Sequence, residues 1–344
     1  MLNIGKLGHD AAEYYLETVA SGVEDYYLHA GEAPGQWLGA ETRALALRGE
    51  VSGDDLRRLL GGAHPATGEP LSHARGGRVR LPGYDLTFRA PKSVSLIFAL
   101  GEGEVSRDIK QSHEAAVRAA LGYLERQAAF GRRRGADGMV PVRGEGFVAA
   151  GFQHRTSRAG DPLLHHHVLV ANLVRDGQEH WGALDGRLIY THAKTAGYLY
   201  QAELRAQLSR RLGVGWTPVV RGTAEIQGIS SEVIRAFSRR RTQILARMAE
   251  RGESSAKAAQ VATLDTRRAK NHKVKSEGLL PEWRFRAAAL GLTPDAIAGI
   301  VRRGQQSPGP LTETVVAEAL AELAQPTGVT AHTSAFTRRD VVRA

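Results

Sequence analysis

The run DPLLHHHVLVANL (residues 161–173) decides how the chain is read. After its histidines it is apolar and β-branched, the composition of a strand. Alternate residues of a strand share a face. His165, His167, Leu169 and Ala171 therefore point one way, and His166, Val168 and Val170 the other. Two of the three consecutive histidines can converge on one point, not all three. A third is available in FQH, which ends at His154 and closes a preceding strand over 147–154. The intervening RTSRAGDP (155–162) can fold back as a hairpin, which lays His154 beside the start of the next strand.

Three converging imidazoles leave coordination positions open, which is how catalytic metal sites differ from closed structural ones. His154, His165 and His167 are the expected ligands of a divalent metal. Neutral ligands leave the cation its full charge for a negative substrate. Imidazoles suit zinc, nickel, copper or iron, and phosphate oxygens suit magnesium or manganese, so the pattern does not name the ion. His113 falls on the apolar face of a helix expected over 104–127, where it reads as a packed residue.

Composition narrows the setting. The chain has 344 residues, 42% of them hydrophobic, enough for a sizeable core. It has no cysteine, which excludes disulfides, thiolate metal sites and a thiol nucleophile. No apolar run reaches transmembrane length and the N-terminus lacks a signal peptide's apolar core, so a cytoplasmic protein without membrane insertion is expected. The net charge is +10. Residues 204–275 hold 16 lysines and arginines against five acidic residues, and the rest of the chain is close to neutral. A basic surface localised in this way favours a polyanionic partner. No GxxxxGK[ST] motif is present, so no nucleotide cofactor is expected.

Along the chain, residues 2–6 read as a strand, and Asp10 with Glu13 as the start of a helix carrying Tyr14 and Tyr15. Ser21 and Gly22 end that helix, and a second pair, Tyr26 and Tyr27, follows. GYDLTFRAPKSVSLIFAL (83–100) reads as two strands, with Val94, Leu96, Phe98 and Leu100 alternating in the second. Helices are expected at about 192–212 and 231–250, and Pro308–Gly309–Pro310 as a linker. The mixed order of strands, hairpins and helices predicts an α+β fold.

A metal beside basic surface suits phosphate chemistry. Without cysteine, the candidate nucleophiles are serine, threonine, tyrosine and lysine. Tyrosine, with a pKa near 10, needs a cation or a base to attack phosphorus at neutral pH. Asp85, in GYDLTF, faces away from Tyr84 and Leu86. A carboxylate in a central strand needs a partner. It can hold a ligand histidine in one tautomer or accept a tyrosine proton.

The two tyrosine pairs, GYDLTFRAPKSVS, HRTSRAGDPLLHHHVLVAN and LDTRRAK (264–270) together resemble conjugative relaxases of the TraI/TrwC-like (MobF) class, which are histidine–hydrophobe–histidine endonucleases. The resemblance implies a central five-stranded antiparallel sheet flanked by helices. It implies site- and strand-specific nicking and rejoining of single-stranded DNA at a transfer origin through a 5′-phosphotyrosine intermediate. It places the nicking nucleophile on Tyr14, a later strand transfer on Tyr26, the site aspartate on Asp85, and the ligands on His154, His165 and His167. It favours magnesium or manganese at work. It further implies type IV secretion coupling machinery and accessory DNA-binding proteins as partners, and passage into the recipient cell with the DNA. A relaxase domain over 1–285 is expected, with 286–344 a linker and the start of a helicase-like region. Arg75, Arg78 and Arg80 are expected to hold the scissile strand and Arg239, Arg240 and Arg241 flanking DNA, with Lys92 a further DNA-binding residue. The competing reading is a non-catalytic DNA-binding or replication-initiator module, against which the complete Tyr/Asp/three-His set argues.

Overall fold

The computed structural model describes the chain except residues 9, 21–33, 72–80, 136–137, 267–277, 302–311, 326–327, 330–335 and 344. Tyr26 and Tyr27, Arg75, Arg78 and Arg80, the 267–275 basic cluster and the Pro-Gly-Pro segment lie outside the described residues.

The elements follow in order. Strand β1 (Leu2–Lys6) leads into helix α1 (Ala11–Ala20), which carries both Tyr14 and Tyr15. Strand β2 (Gln36–Leu38), a 3-10 turn (Ala40–Leu45) and helix α2 (Gly53–Leu60) come next. Strand β3 (Gly83–Arg89) is followed by helices α3 (Lys92–Leu100) and α4 (Gly103–Ala128). A ribbon of β4 (Phe130–Gly135) and β5 (Gly138–Arg143), which the sequence reading left unassigned, precedes β6 (Ala149–Thr156) and β7 (Pro162–Ala171). A short pair, β8 (Val174–Arg175) and β9 (Trp181–Gly182), leads to α5 (Gly186–Leu212). The remainder is helical: α6 (Ser231–Ala236), α7 (Arg239–Glu250), α8 (Ala256–Asp265), α9 (Leu279–Ala289), α10 (Pro294–Ile300), α11 (Glu313–Ala324) and α12 (Arg338–Arg343). No described helix is long and apolar enough to cross a membrane.

The fold is α+β, with a five-stranded antiparallel sheet in the order β1-β3-β7-β6-β2 and helices against both faces. One face packs Leu86, Phe88, Val168 and Val170 against α3, α4 and α5. The other packs Val148, Ala150, Phe152 and Leu169 against α1, α2 and the 3-10 turn through Tyr15, Leu56 and Leu59. Each apolar strand position therefore finds a helical layer, which is what lets alternation fix the register.

Two expectations are corrected. The strand expected over 93–100 is helix α3, and every residue from Ser93 to Leu100 is buried. A short helix buried all round shows no polar face, so its composition is indistinguishable from that of a core strand. Pro91 precedes its first turn, and the Glu225 carboxylate accepts from both the Ser93 backbone N–H and hydroxyl at 2.8 and 2.5 Å, which satisfies the helix start. The helix expected over 231–250 is two, α6 and α7, which break at Phe237 and Ser238, with the Phe237 ring buried in the main core.

That core continues past residue 285, because Ala287, Leu292 and Ile297 join the same cluster as the sheet. His113 is wholly buried in it, 2.8 Å from the Tyr200 hydroxyl through Nδ1, and stacks obliquely near His166 at 5.8 Å. Burial pushes its pKa down to about 3. The unfolded chain, with an ordinary histidine, binds this proton from about pH 6.5 downward and the folded protein does not. Between about pH 6.5 and 3, stability is therefore expected to fall as pH falls, by up to about 1.4 kcal/mol per unit from this residue. Urea unfolding at pH 7 and pH 5 should show a shallower pH dependence for His113→Gln than for the wild type. An identical dependence would mean that His113 does not supply it.

Candidate active site

The β6–β7 hairpin builds the histidine cluster. His154 lies directly opposite His165 across the hairpin, and Phe152 opposite His167, so all four side chains share one face. The rings of His154, His165 and His167 lie 5.0–5.2 Å apart, centroid to centroid. One nitrogen from each lies within 4.8 Å of the others, a spacing that can hold a metal ion. His166 points to the opposite face, into the core beside His113. It lies against Gly151, where an added Cβ would come within 2.7 Å of its Nε2 and 2.5 Å of a Leu38 methyl. That glycine makes room for the imidazole.

Hydrogen bonds orient the His165 and His167 rings. His165 Nδ1 lies 2.8 Å from the Leu163 carbonyl, and His167 Nδ1 lies 2.9 Å from each Asp85 oxygen. Each then donates through Nδ1, which commits Nε2 to the acceptor role that a metal needs. Burial, and then the neighbouring His167 and His154, hold the His165 pKa well below the ordinary value, so the ring is neutral. The donor set and its protonation thus fit a divalent cation.

Asp85 reaches the site because β3 is an inner strand, paired to β1 on one side and β7 on the other. Its carboxylate also accepts from the Tyr15 hydroxyl at 2.8 Å and the Thr87 hydroxyl at 3.2 Å. Burial opposes its charge, but the bonds from His167, Tyr15 and Thr87 outweigh burial and hold its pKa below the usual carboxylate value. An acceptor so fully engaged orients its neighbours and is a poor base. Tyr15 is buried, its ring stacked on Phe152 at 5.8 Å and tilted against His167 at 5.2 Å, so helix α1 docks on the histidine cluster through this side chain. Tyr14 is the preceding residue of α1, and its side chain lies outside those described.

The hairpin connection is held from behind. Asp161, 1% exposed, accepts from the Arg239 backbone N–H (2.9 Å), Arg239 Nε (2.8 Å) and Arg286 Nη2 (2.7 Å). Trp283 Nε1 donates to the Gly160 carbonyl at 2.9 Å, and Lys92 Nζ to the Pro162 carbonyl at 2.5 Å. Helices α3, α7 and α9 therefore grip the turn that sets His154 opposite His165. Breaking a buried ion pair on one side costs about 3–5 kcal/mol, and Arg239 is partly solvated, so Asp161→Asn is expected to cost about 3 kcal/mol. Urea denaturation checks this, and a loss below about 0.5 kcal/mol would show that the clamp is incidental.

A match to the family model of the TrwC relaxase covers residues 8–290. The chain belongs to the TrwC relaxase family. The multifunctional conjugation protein TraI of Escherichia coli is 31% identical over 325 residues, 90% of this chain and 18% of that protein. TraI of strain K12 is 32% identical over 283 residues, 79% of this chain and 15% of that one. The chain thus spans under a fifth of the length of these relatives. The metal-bound structure of conjugative relaxase TrwC in complex with oriT DNA aligns with a TM-score of 0.74 at 30% identity, covering 85% of this chain and 99% of that one. The copper-bound TrwC–oriT DNA structure gives 0.75 at 31%, with the same coverage.

Within this relaxase-family fold, the expected DNA-binding residues fall unevenly. Arg239 is committed to Asp161, and Arg240 donates to the Thr266 carbonyl at 2.8 Å, while Arg241 is exposed. Lys92 is turned inward, with burial pushing its pKa down to about 8. Charge counts along a sequence cannot show such pairings, because Asp161 and Arg239 meet only through the fold. The sequence assigns no site role to Tyr15, Thr87 or Arg89. The same period-two rule that placed Asp85 would have put Thr87 and Arg89 on its face.

Proposed function

We propose that this chain nicks and rejoins one DNA strand at a transfer origin by metal-assisted tyrosine transesterification, and so starts conjugative transfer. What supports this reading above all is the convergence of His154, His165 and His167 beside Asp85 and the tyrosine-bearing helix α1. The oriT DNA in the TrwC complexes supports it from the side of the substrate.

His154, His165 and His167 would hold the cation. When bound, a divalent ion offsets negative charge on the non-bridging oxygens of the scissile phosphate. Magnesium or manganese suits that phosphate chemistry, and zinc or nickel suits the imidazoles. Asp85 fixes the His167 tautomer and holds the Tyr15 hydroxyl, which anchors α1 on the site. Tyr14 is assigned the nucleophile on the family resemblance. Its phenolic oxygen bonds to phosphorus as the bond from phosphorus to the 3′ oxygen breaks. The tyrosine proton is released and the departing 3′ oxygen takes one up. One phosphodiester replaces another, so no nucleotide is consumed and the step reverses on rejoining. Tyr26 would serve the later strand transfer.

The relaxase unit is read as residues 1–285, with 286–344 a linker and the start of a helicase-like region, of which Ala287, Leu292 and Ile297 pack into the same core as the sheet. Coupling machinery of type IV secretion, accessory DNA-binding proteins and a cytoplasmic setting belong to the same proposal. The test is incubation of the metal-loaded protein with labelled single strands from the transfer origin of the element that encodes it. A denaturing gel should show a covalent adduct and a shortened strand bearing a 3′ hydroxyl. Tight binding without any adduct would favour the non-catalytic DNA-binding module.

A further inference from the structure

We propose that Arg89 is a phosphate-binding residue of the site, one that grips the scissile-strand backbone beside the histidine cluster; this rests on the nicking function proposed above. Arg89 ends β3 and lies directly opposite His165 in the β3–β7 register, with Thr87 opposite His167. Directly opposed residues share a sheet face, so Arg89, His165, His167 and Asp85 belong to one surface. The Arg89 backbone is well used: the carbonyl accepts from the N-terminal amine at 2.8 Å and from Gln201 Nε2 at 3.1 Å. Its side chain has no hydrogen-bond or ion-pair partner among the described residues, and the residue is exposed.

The nearby acid is already engaged. Both Asp85 oxygens accept from His167, and Tyr15 and Thr87 add further bonds, so Arg89 feels that charge without pairing with it. Its own charge reaches His165, whose protonation it helps to suppress. A fixed cation placed next to neutral metal ligands works against a bound cation unless an anion joins them. A phosphodiester supplies that anion, and the planar guanidinium can donate to a non-bridging oxygen.

Arg89→Ala should therefore lower single-turnover nicking by about 10²-fold, the effect of removing one donor to a developing oxyanion. Affinity of the free protein for manganese should hold or rise, since a like charge is removed. A merely structural role would instead lower it. Arg89→Lys, which keeps the charge without the fork, should recover part of the rate. Binding adds a readout independent of the metal. For metal-free protein, the salt dependence of affinity should become shallower by about 0.7 per lost phosphate contact. That change should appear with a transfer-origin strand spanning the nick and not with one that stops before it. If wild type nicks and Arg89→Ala nicks equally fast, or if the variant loses manganese affinity, the inference fails. If wild type itself neither nicks nor forms an adduct, the nicking function is what fails.

Discussion

His165→Ala and His167→Ala are each expected to strip the divalent metal from the protein and reduce cleavage to background, whereas His166→Ala should leave both within about threefold. The contrast follows from register alone. His165 and His167 face the site, where the three rings lie 5.0–5.2 Å apart, and His166 lies in the core over Gly151. Asp85→Asn should fall between these cases, with metal affinity down about 10–100-fold, as expected for a group that orients a ligand without being one. Isothermal titration with manganese, read beside nicking, tests the set. Retention of metal in His165→Ala with its loss in His166→Ala would sink the strand argument. Equal loss of folding stability and metal affinity in Asp85→Asn would mean that the carboxylate serves the fold.

The second large effect separates two adjacent hydroxyls. Tyr14→Phe is expected to abolish the covalent adduct, since no other group at that position can bond to phosphorus, while strand affinity persists. Tyr15→Phe should still form the adduct, at a rate lowered about 10–100-fold. Its hydroxyl lies 2.8 Å from Asp85 and 3.2 Å from His167 Nδ1, so its loss loosens the partners of a ligand without removing the nucleophile. Mass spectrometry of the trapped peptide identifies the linked residue. An adduct that survives Tyr14→Phe and vanishes in Tyr15→Phe would exchange the two roles.

The hairpin and its three histidines were legible because a strand leaves a two-residue signature and both halves lie close in sequence. Asp85 was legible as a lone acid in an apolar strand. Helix α3 was not, since a fully buried helix writes the same apolar string as a core strand. The distinction between Tyr14 and Tyr15 was not either. Which of two adjacent helical residues meets Asp85 depends on how α1 rotates onto the sheet, and that rotation is set by Phe152 and the α2 leucines far along the chain. The pairings of the basic run at 239–241 were hidden for a related reason. Its partner Asp161 lies in the hairpin turn and its neighbour Arg286 on α9, so two of its three charges are decided by tertiary contacts.

The three candidate ligand histidines, His154, His165 and His167, all lie on one short loop of covalent chain. Closing so short a loop costs little conformational entropy even without the fold. The denatured chain therefore retains affinity for the same cation, and only the Asp85 contribution, drawn from another strand, is wholly lost on unfolding. Thermodynamic linkage then makes the metal's stabilising effect level off at high concentration, at a value set by the ratio of the denatured and native dissociation constants. A thermal-shift titration of this protein will accordingly understate how tightly the folded site holds its ion, and equilibrium dialysis of native protein will give the larger affinity.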